Sequence, residues 1–493
     1  MRILDRLTNL IAAIAAGASL GVVSSPALAK PSAARLQGQV PLADQLSGRA
    51  LKGYQNGIDL VGHNNILNRL QNGNLGWVDE CAYVAAYFGS AFVDNSGLAV
   101  LDAANPRNPV ITQLWPGTPG ARESQVEGNQ DSRMVVVMPF PRGTIFGDPA
   151  APESLLQIYD VPPNNCQNLV KRGTYHFGLA TSHDGVGRTI VTHEHRIWRN
   201  IIYATTTSPG DAGPALFVVD ANDRDNPRLI ATWDLLDEGG GRTSGLHDID
   251  VSPDGTRVYG NIRVGGGGLN STGGLAILDT TEVANWSPGM PNPTIRRIGD
   301  FLLWSPPLSG GSHTAQYFEN NGRKYVAVAN EGGGCPAAHA QIVDVTYELH
   351  PVVVSSMRLD VNKPENCPRT LPDHDGLVLG DAGGIDGLLM QYRYGAHYSG
   401  IDSVEDGRLF AMTWYSAGLH LFDVSDPYSP RHVGEFHPPA RDNGTGRAVV
   451  DRTYSWVRFH RGNIWFTSAN GGFWIVRHNP QTYSAAHLAK PLY

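Results

Sequence analysis

Residues 97–109 read GLAVLDAANPRNP: a glycine, four apolar residues, an aspartate, then a turn that ends in Asn-Pro. The apolar run is short and bounded by turn residues, the pattern of a strand buried on both faces. It returns as ALFVVDANDRDNP (215–227), GLAILDTTEVANW (274–286, with Asn292-Pro293 after an insertion), AQIVDVTYELHP (340–351) and GLHLFDVSDPYSP (418–430). SLLQIYDVPP (154–163) and GFWIVRHNP (472–480) are degenerate copies, which makes seven. Asp102, Asp160, Asp220, Asp279, Asp344 and Asp423 mark six of them, and Arg477 holds that place in the last.

A second strand precedes each copy, as in NIIYATT, TRVYGN, RKYVAVAN and NIWFTSAN, and a third lies before that, as in HDIDV. A fourth follows the proline, as in PVITQLW, PRLIATW and PRHVGEF. Four such strands form an antiparallel blade, and a blade buries both faces only between neighbours, so the copies must stack in a ring. The expected fold is all-β: a seven-bladed β-propeller of four-stranded antiparallel blades over residues 51–485. GIDLVGH (57–63) reads like the strand after each Asn-Pro, and the last copy has no such strand behind it. The N-terminal segment is therefore expected to supply the outer strand of blade seven and close the ring, which removes open edges. The repeats, over roughly 57–480, resemble those of LVIVD-repeat proteins, a resemblance that implies a β-propeller and no particular activity.

Charged residues are only 17% of the 493, while Gly (57) and Pro (33) are plentiful, as suits short strands joined by tight turns. A net charge of −8 without any basic run argues against nucleic acid or an anionic membrane as partner. Residues 1–29 read as a signal peptide: Arg2 and Arg6, an apolar centre, then Pro26-Ala27-Leu28-Ala29. A flexible segment (30–50) and a C-terminal tail (486–493) flank the propeller, no other stretch is apolar enough to span a bilayer, and the expected location is periplasmic or secreted. Cys81, Cys166, Cys335 and Cys367 allow three disulfide pairings. Cys335–Cys367 is favoured because both lie in loop-like segments, which leaves Cys81 for Cys166.

The first strand of each propeller blade lines the central channel, so residues at the start of those strands converge on the axis. Aligned on the turn that follows, His247 lies eight residues before Gly255, His313 nine before Gly322, His397 ten before Gly407 and His193 seven before Asn200. His195 competes with His193, since the two share one strand face. The same register gives Glu80 in blade one and Tyr454 in blade seven, with Asp131 or Arg133 nearest to it in blade two. Neutral imidazoles are ligands for transition metals. The expected site is thus a metal, iron or copper ahead of zinc, on His193, His247, His313 and His397, with Glu80 and Tyr454 as catalytic groups beside it. It would act on a small or medium organic substrate, in an oxidoreductase-type reaction. Two other readings stand beside it: a non-enzymatic periplasmic scaffold for a protein or glycan, and a metal-free polysaccharide lyase or hydrolase using His and Tyr. His183 and His374 lie in insertions that could line the channel entrance, and the glycine runs at 265–268 and 380–384 lack the strand-then-helix setting of a phosphate loop.

Overall fold

A computed structural model of the chain describes residues 34–486. It leaves out the segments 87–96, 119–120, 142–153, 182–186, 207–213, 236–244, 265–271, 305–310, 333–334 and 375–393, and the single residues 443 and 445. The signal-peptide reading (1–29), His183, both glycine runs and nearly all of the proposed tail lie outside the described residues. Among the described residues, no helix is long and apolar enough to cross a membrane.

Seven antiparallel blades are present. Blade 1 runs, from channel to rim, through Asn72–Val78, Cys81–Ala86, Gly97–Asp102 and Val110–Pro116. The channel strands of blades 2 to 5 are Ala121–Asn129, Thr192–Trp198, Gly245–Val251 and Ser312–Asn320. Those of blades 6 and 7 are the short Ser399–Ile401 and Arg458–His460. The second strand of blade 1 is buried at every position, and so is all but the last residue of the third, whereas its rim strand alternates exposed and half-buried residues. That gradient follows from stacking: the middle strands are covered by neighbouring blades on both faces, and the rim strand faces water on one.

The repeat aspartate has a local reason. In Asp102, Asp220, Asp279, Asp344 and Asp423 the carboxylate accepts a hydrogen bond from the backbone N–H two residues on, at 2.8–3.0 Å. This Asx turn ends the third strand and aims the chain into the fourth. Asp160, in a degenerate copy, pairs with Arg172 and Arg224.

Apolar cores lie between blades rather than within them. Leu75, Val84 and Leu101 of blade 1 meet Trp465, Phe473 and Ile475 of blade 7 in one cluster, which is the seam where the ring closes. The closing strand is the expected one: Ile58–Asn64 pairs antiparallel with Gly472–His478. Tyr54–Asn56, just before it, adds a fifth strand to the rim of blade 6. Between the two the chain crosses from one blade to the next at Gly57, whose φ is +70° and whose Cβ, if present, would sit 2.4 Å from the Val433 carbonyl. Only glycine fits there.

The described part of the segment read as flexible (30–50) is ordered. It carries a short helix, Leu42–Leu46, and buries Leu36, Val40 and Ala50. Apolar side chains sparsely spaced among polar ones conceal this docking in the sequence. Both expected disulfides are present, Cys81–Cys166 and Cys335–Cys367.

Candidate functional site

One backbone feature sets up the channel. In blades 1 to 5 the pairing of channel strand with second strand shifts by one residue, always near the strand's start. The shift lies between Asn72 and Leu75, Arg122 and Gln125, Thr192 and His195, Leu246 and Ile249, and Ser312 and Thr314. Each is a β-bulge, which takes residues out of regular pairing and re-aims their side chains. His193, His247 and His313 all sit inside these bulges. Carbonyls released by such irregularity need donors. Thr205 Oγ1, on the second strand of blade 3, donates to the His247 carbonyl at 2.8 Å. Thr413 and Thr467 make the same link from blade 6 to the Ser455 carbonyl (3.2 Å) and from blade 7 to the Gly73 carbonyl (2.6 Å).

The four histidines come together. Successive ring centroids are 4.3 Å (His193–His247), 3.9 Å (His247–His313) and 4.2 Å (His313–His397) apart. His247, His313 and His397 are buried, and His193 is half-buried. His195 is not part of the group. Its Nε2 faces the Val136 carbonyl at 3.1 Å, toward blade 2, and burial lowers its pKa to about 3. Tyr454 lies beside the cluster, its ring 4.9 Å from that of His397, which Tyr398 and Tyr415 also flank at 4.2 Å each.

The carboxylate facing the histidines is Glu331, which the sequence reading missed. It directly follows the second strand of blade 5, and its N–H donates to the Gly311 carbonyl. Its oxygens stand 3.9, 3.8 and 3.8 Å from Nε2 of His247, His313 and His397. The Tyr415 hydroxyl donates to Oε1. Tyr415 adopts φ +36°, a costly conformation for an aromatic residue and one typical of functional sites. An acidic residue leaving a buried strand into EGGGCP was the available signal.

Glu80, proposed as the facing carboxylate, is elsewhere. It occupies the turn after Val78, beyond the far end of the channel strand, and pairs with His460 (2.8 Å) and Arg461 (2.7 Å). The strand NGNLGWV shows little apolar alternation, so the reading took the next strand, Cys81–Ala86, for the channel strand. In blade 1 the register position is Gly73, and Asn74 after it accepts from the Trp456 N–H and donates to Gln125. Asp131 and Arg133 are hairpin residues too, with Arg133 (φ +52°) paired to Asp79. His374 is buried against Tyr394, with ring centroids 4.6 Å apart.

Beneath the histidines lies a polar layer. Gln125 (2.6 Å) and Tyr398 both donate to Oε1 of Glu194. Burial pushes the Glu194 carboxyl well above its usual range, and raises Asp248 to about 7 against the pull of Arg196. His193, Glu194 and His247 form one set of grouped ligand atoms, and His247, His313 and Glu331 another.

A further His/Glu group, His420, Glu435 and His437, is buried in blade 6. There Glu435 is paired with Arg35 and accepts from the Gly38 N–H at 3.1 Å. His420 meets the Ala417 carbonyl at 2.8 Å and His432 at 3.0 Å.

Fold and site together define a β-propeller with buried His/Glu groups that could hold a metal ion. Compared with protein-family models and curated proteins, the chain has no match. Among solved structures it is similar to the periplasmic gluconolactonase PpgL of Pseudomonas aeruginosa, at 13% identity and TM-score 0.45, over 79% of this chain and 90% of that one. It is also similar to the β-propeller domain of Myceliophteria thermophila Cps50 (Swd1), at 9% identity and TM-score 0.45, over 83% and 97%. Chaetomium thermophilum Sqt1 follows at 12% identity and TM-score 0.44, over 84% and 86%. Likenesses this distant concern the fold alone.

Proposed function

We propose that the protein is an exported, metal-dependent enzyme whose axial histidines, His193, His247, His313 and His397, bind one transition metal. The observation that carries this reading is the spacing around Glu331. Its oxygens lie 3.8–3.9 Å from three imidazole Nε2 atoms. That is too long for a hydrogen bond, whose N···O distance is about 2.7–3.2 Å. It lies within the span of about 4 Å that two ligands of one ion can have when each bond is about 2.0–2.1 Å. Three buried imidazoles and a buried carboxylate facing one point suit an ion placed between them, with Glu331 offsetting its charge. A nitrogen-rich donor set of this kind favours iron or copper ahead of zinc, and such an ion would supply redox or Lewis-acid chemistry.

The chain's own residues have separate tasks in this reading. Tyr415 holds Glu331 in place through Oε1. Tyr454, packed on His397, would donate to a small organic substrate entering beside half-buried His193. Gln125 and Tyr398 both occupy Oε1 of Glu194, so a proton held by that carboxyl sits on Oε2, on the side away from both donors. The LVIVD-type repeat belongs to the same proposal and adds no activity of its own.

Metal analysis of the protein purified without chelators tests this. Near-stoichiometric iron or copper is expected, lost in the His247→Ala/His313→Ala variant while the thermal transition stays cooperative. A metal-free wild-type protein overturns the reading and leaves the protein- or glycan-binding scaffold and the metal-free lyase or hydrolase.

A further inference from the structure

The channel strands continue past the histidines, and with a period of two they deliver a second set of side chains to the axis. Glu194 is followed by Arg196, Asp248 by Asp250, Gln125 by Glu127 and Trp456 by Arg458. A cavity of about 380 Å³ lies at this end, within the roughly 300–1,000 Å³ of small-molecule sites. Arg196 and Asp250 are three residues beyond His193 and His247, which places the cavity about 10 Å further along the axis. The bonded layer of Gln125, Glu194 and Tyr398 stands between the two.

The cavity's walls are chemically distinct. On one side are Glu127 and Asp250, the latter accepting from the Tyr317 N–H at 2.6 Å. Arg196 lies next to them, its Nε donating to the Ile249 carbonyl and its guanidinium flat over Trp456, 3.4 Å from the ring centre. The other side holds Arg458, 8% exposed, over the rings of Trp465 (4.6 Å) and Trp77 (5.7 Å). Among the described residues, Arg458 Nη1 and Glu127 Oε2 have no hydrogen-bond partner. Burial pushes the Arg458 guanidinium down to about 10 against the pull of Glu80 and Asp79.

An unmet donor and an unmet acceptor thus line one space, and unmet buried polar groups are costly unless a ligand or water meets them. Burial lifts the Glu127 carboxyl to about 8, so near neutral pH it is a hydrogen-bonding acid. Arg196 is answered by Asp250, and Arg458 by Glu80 and Asp79, so neither a simple anion nor a simple cation gains from the local field. A neutral molecule rich in hydroxyls can both accept from Arg458 and exchange a hydrogen bond with Glu127. Its C–H face would meet Trp77, which lines the cavity and whose ring face attracts polarised C–H groups. We propose that this cavity binds a neutral carbohydrate of monosaccharide to disaccharide size, independently of the histidine site.

The test is calorimetric titration and saturation-transfer NMR on the full chain with D-glucose, D-galactose and N-acetyl-D-glucosamine, beside acetate and glycine as charged probes. At least one sugar should bind saturably, and Arg458→Met and the isosteric Glu127→Gln should each weaken it at least tenfold. The His247→Ala/His313→Ala variant should bind it as the wild type does. Binding of acetate or glycine in place of the sugars, or of nothing in the panel, overturns the ligand class. Sugar binding untouched by Glu127→Gln and Arg458→Met overturns the location, and its loss in the histidine variant overturns the independence of the two sites.

Discussion

Two buried clusters in this molecule have almost the same composition and opposite chemistry. On the axis, Glu331 faces His247, His313 and His397 at 3.8–3.9 Å, with the Tyr415 hydroxyl as its bonded neighbour. In blade 6, Glu435 lies beside His420 and His437, and the charge is already answered by Arg35 from the N-terminal segment. That pair holds Glu435 ionised, well below the usual carboxylate range, against the cost of its burial. A tally of ligand types would rank the two alike. What separates them is spacing: Glu331 stands 3.8–3.9 Å from three imidazole nitrogens, whereas Glu435 is closed directly by Arg35.

The largest effect that would break this comparison lies in removing the charge partners. Arg35→Met leaves Glu435 buried without a cation, which should cost about 3–5 kcal/mol in a denaturant titration. Glu331→Gln, measured on chelator-treated protein, should be neutral or stabilising, because the amide keeps a hydrogen-bond acceptor for Tyr415 and removes a buried charge. Equal destabilisation by both would erase the distinction between the clusters.

A buried imidazole that feels an arginine sharpens the contrast. His339 is 4% exposed, and burial, with Arg358 adding to it, lowers its pKa from 6.5 to about 4. Its neutral form is the one the fold accepts, so the unfolded chain binds the extra proton between these values. Stability from this group is therefore intact above about pH 6.5 and falls as pH drops toward 4, by about 3 kcal/mol in all. His339→Gln should flatten that part of the stability–pH curve; an unchanged slope would place the acid sensitivity elsewhere.

The smallest expected effect concerns the straps that hold the bulges. Thr205→Val keeps the shape and removes the donor to the His247 carbonyl, at a cost of about 1–2 kcal/mol. Under the metal reading it should also weaken metal binding several-fold, whereas a purely structural strap would lower the melting temperature and leave metal affinity alone.

Much of this architecture is written locally. The Asx-turn aspartates recur because each turn needs one, and Ile58–Asn64 shows itself as a rim strand with no blade of its own. The histidine register is legible because the turns at Gly255 and Gly322 fix the phase of their strands. Blade 1 resists the same approach, since Asn72–Val78, with Gly73 and Gly76, shows little apolar alternation, and Glu80 was drawn in from the wrong strand end. Glu331 is hidden for a different reason. It reaches the axis from the end of a second strand rather than from a channel strand, and only its place before the glycines of EGGGCP marks it. The docking of Leu36 and Val40 is likewise tertiary, as Leu36 packs on residues from Phe318 onward and Val40 on Ala440, Ala448 and Val450, all far along the chain.

The central claim is that an ion belongs between the axial imidazoles, and an anomalous-difference map from crystals of the untreated protein tests it most directly. The account predicts one strong peak within bonding distance of His193, His247, His313 and His397, on the side of Glu331. The blade 6 cluster of His420, Glu435 and His437 should be blank. No peak on the axis, or a peak at the blade 6 cluster alone, would contradict it.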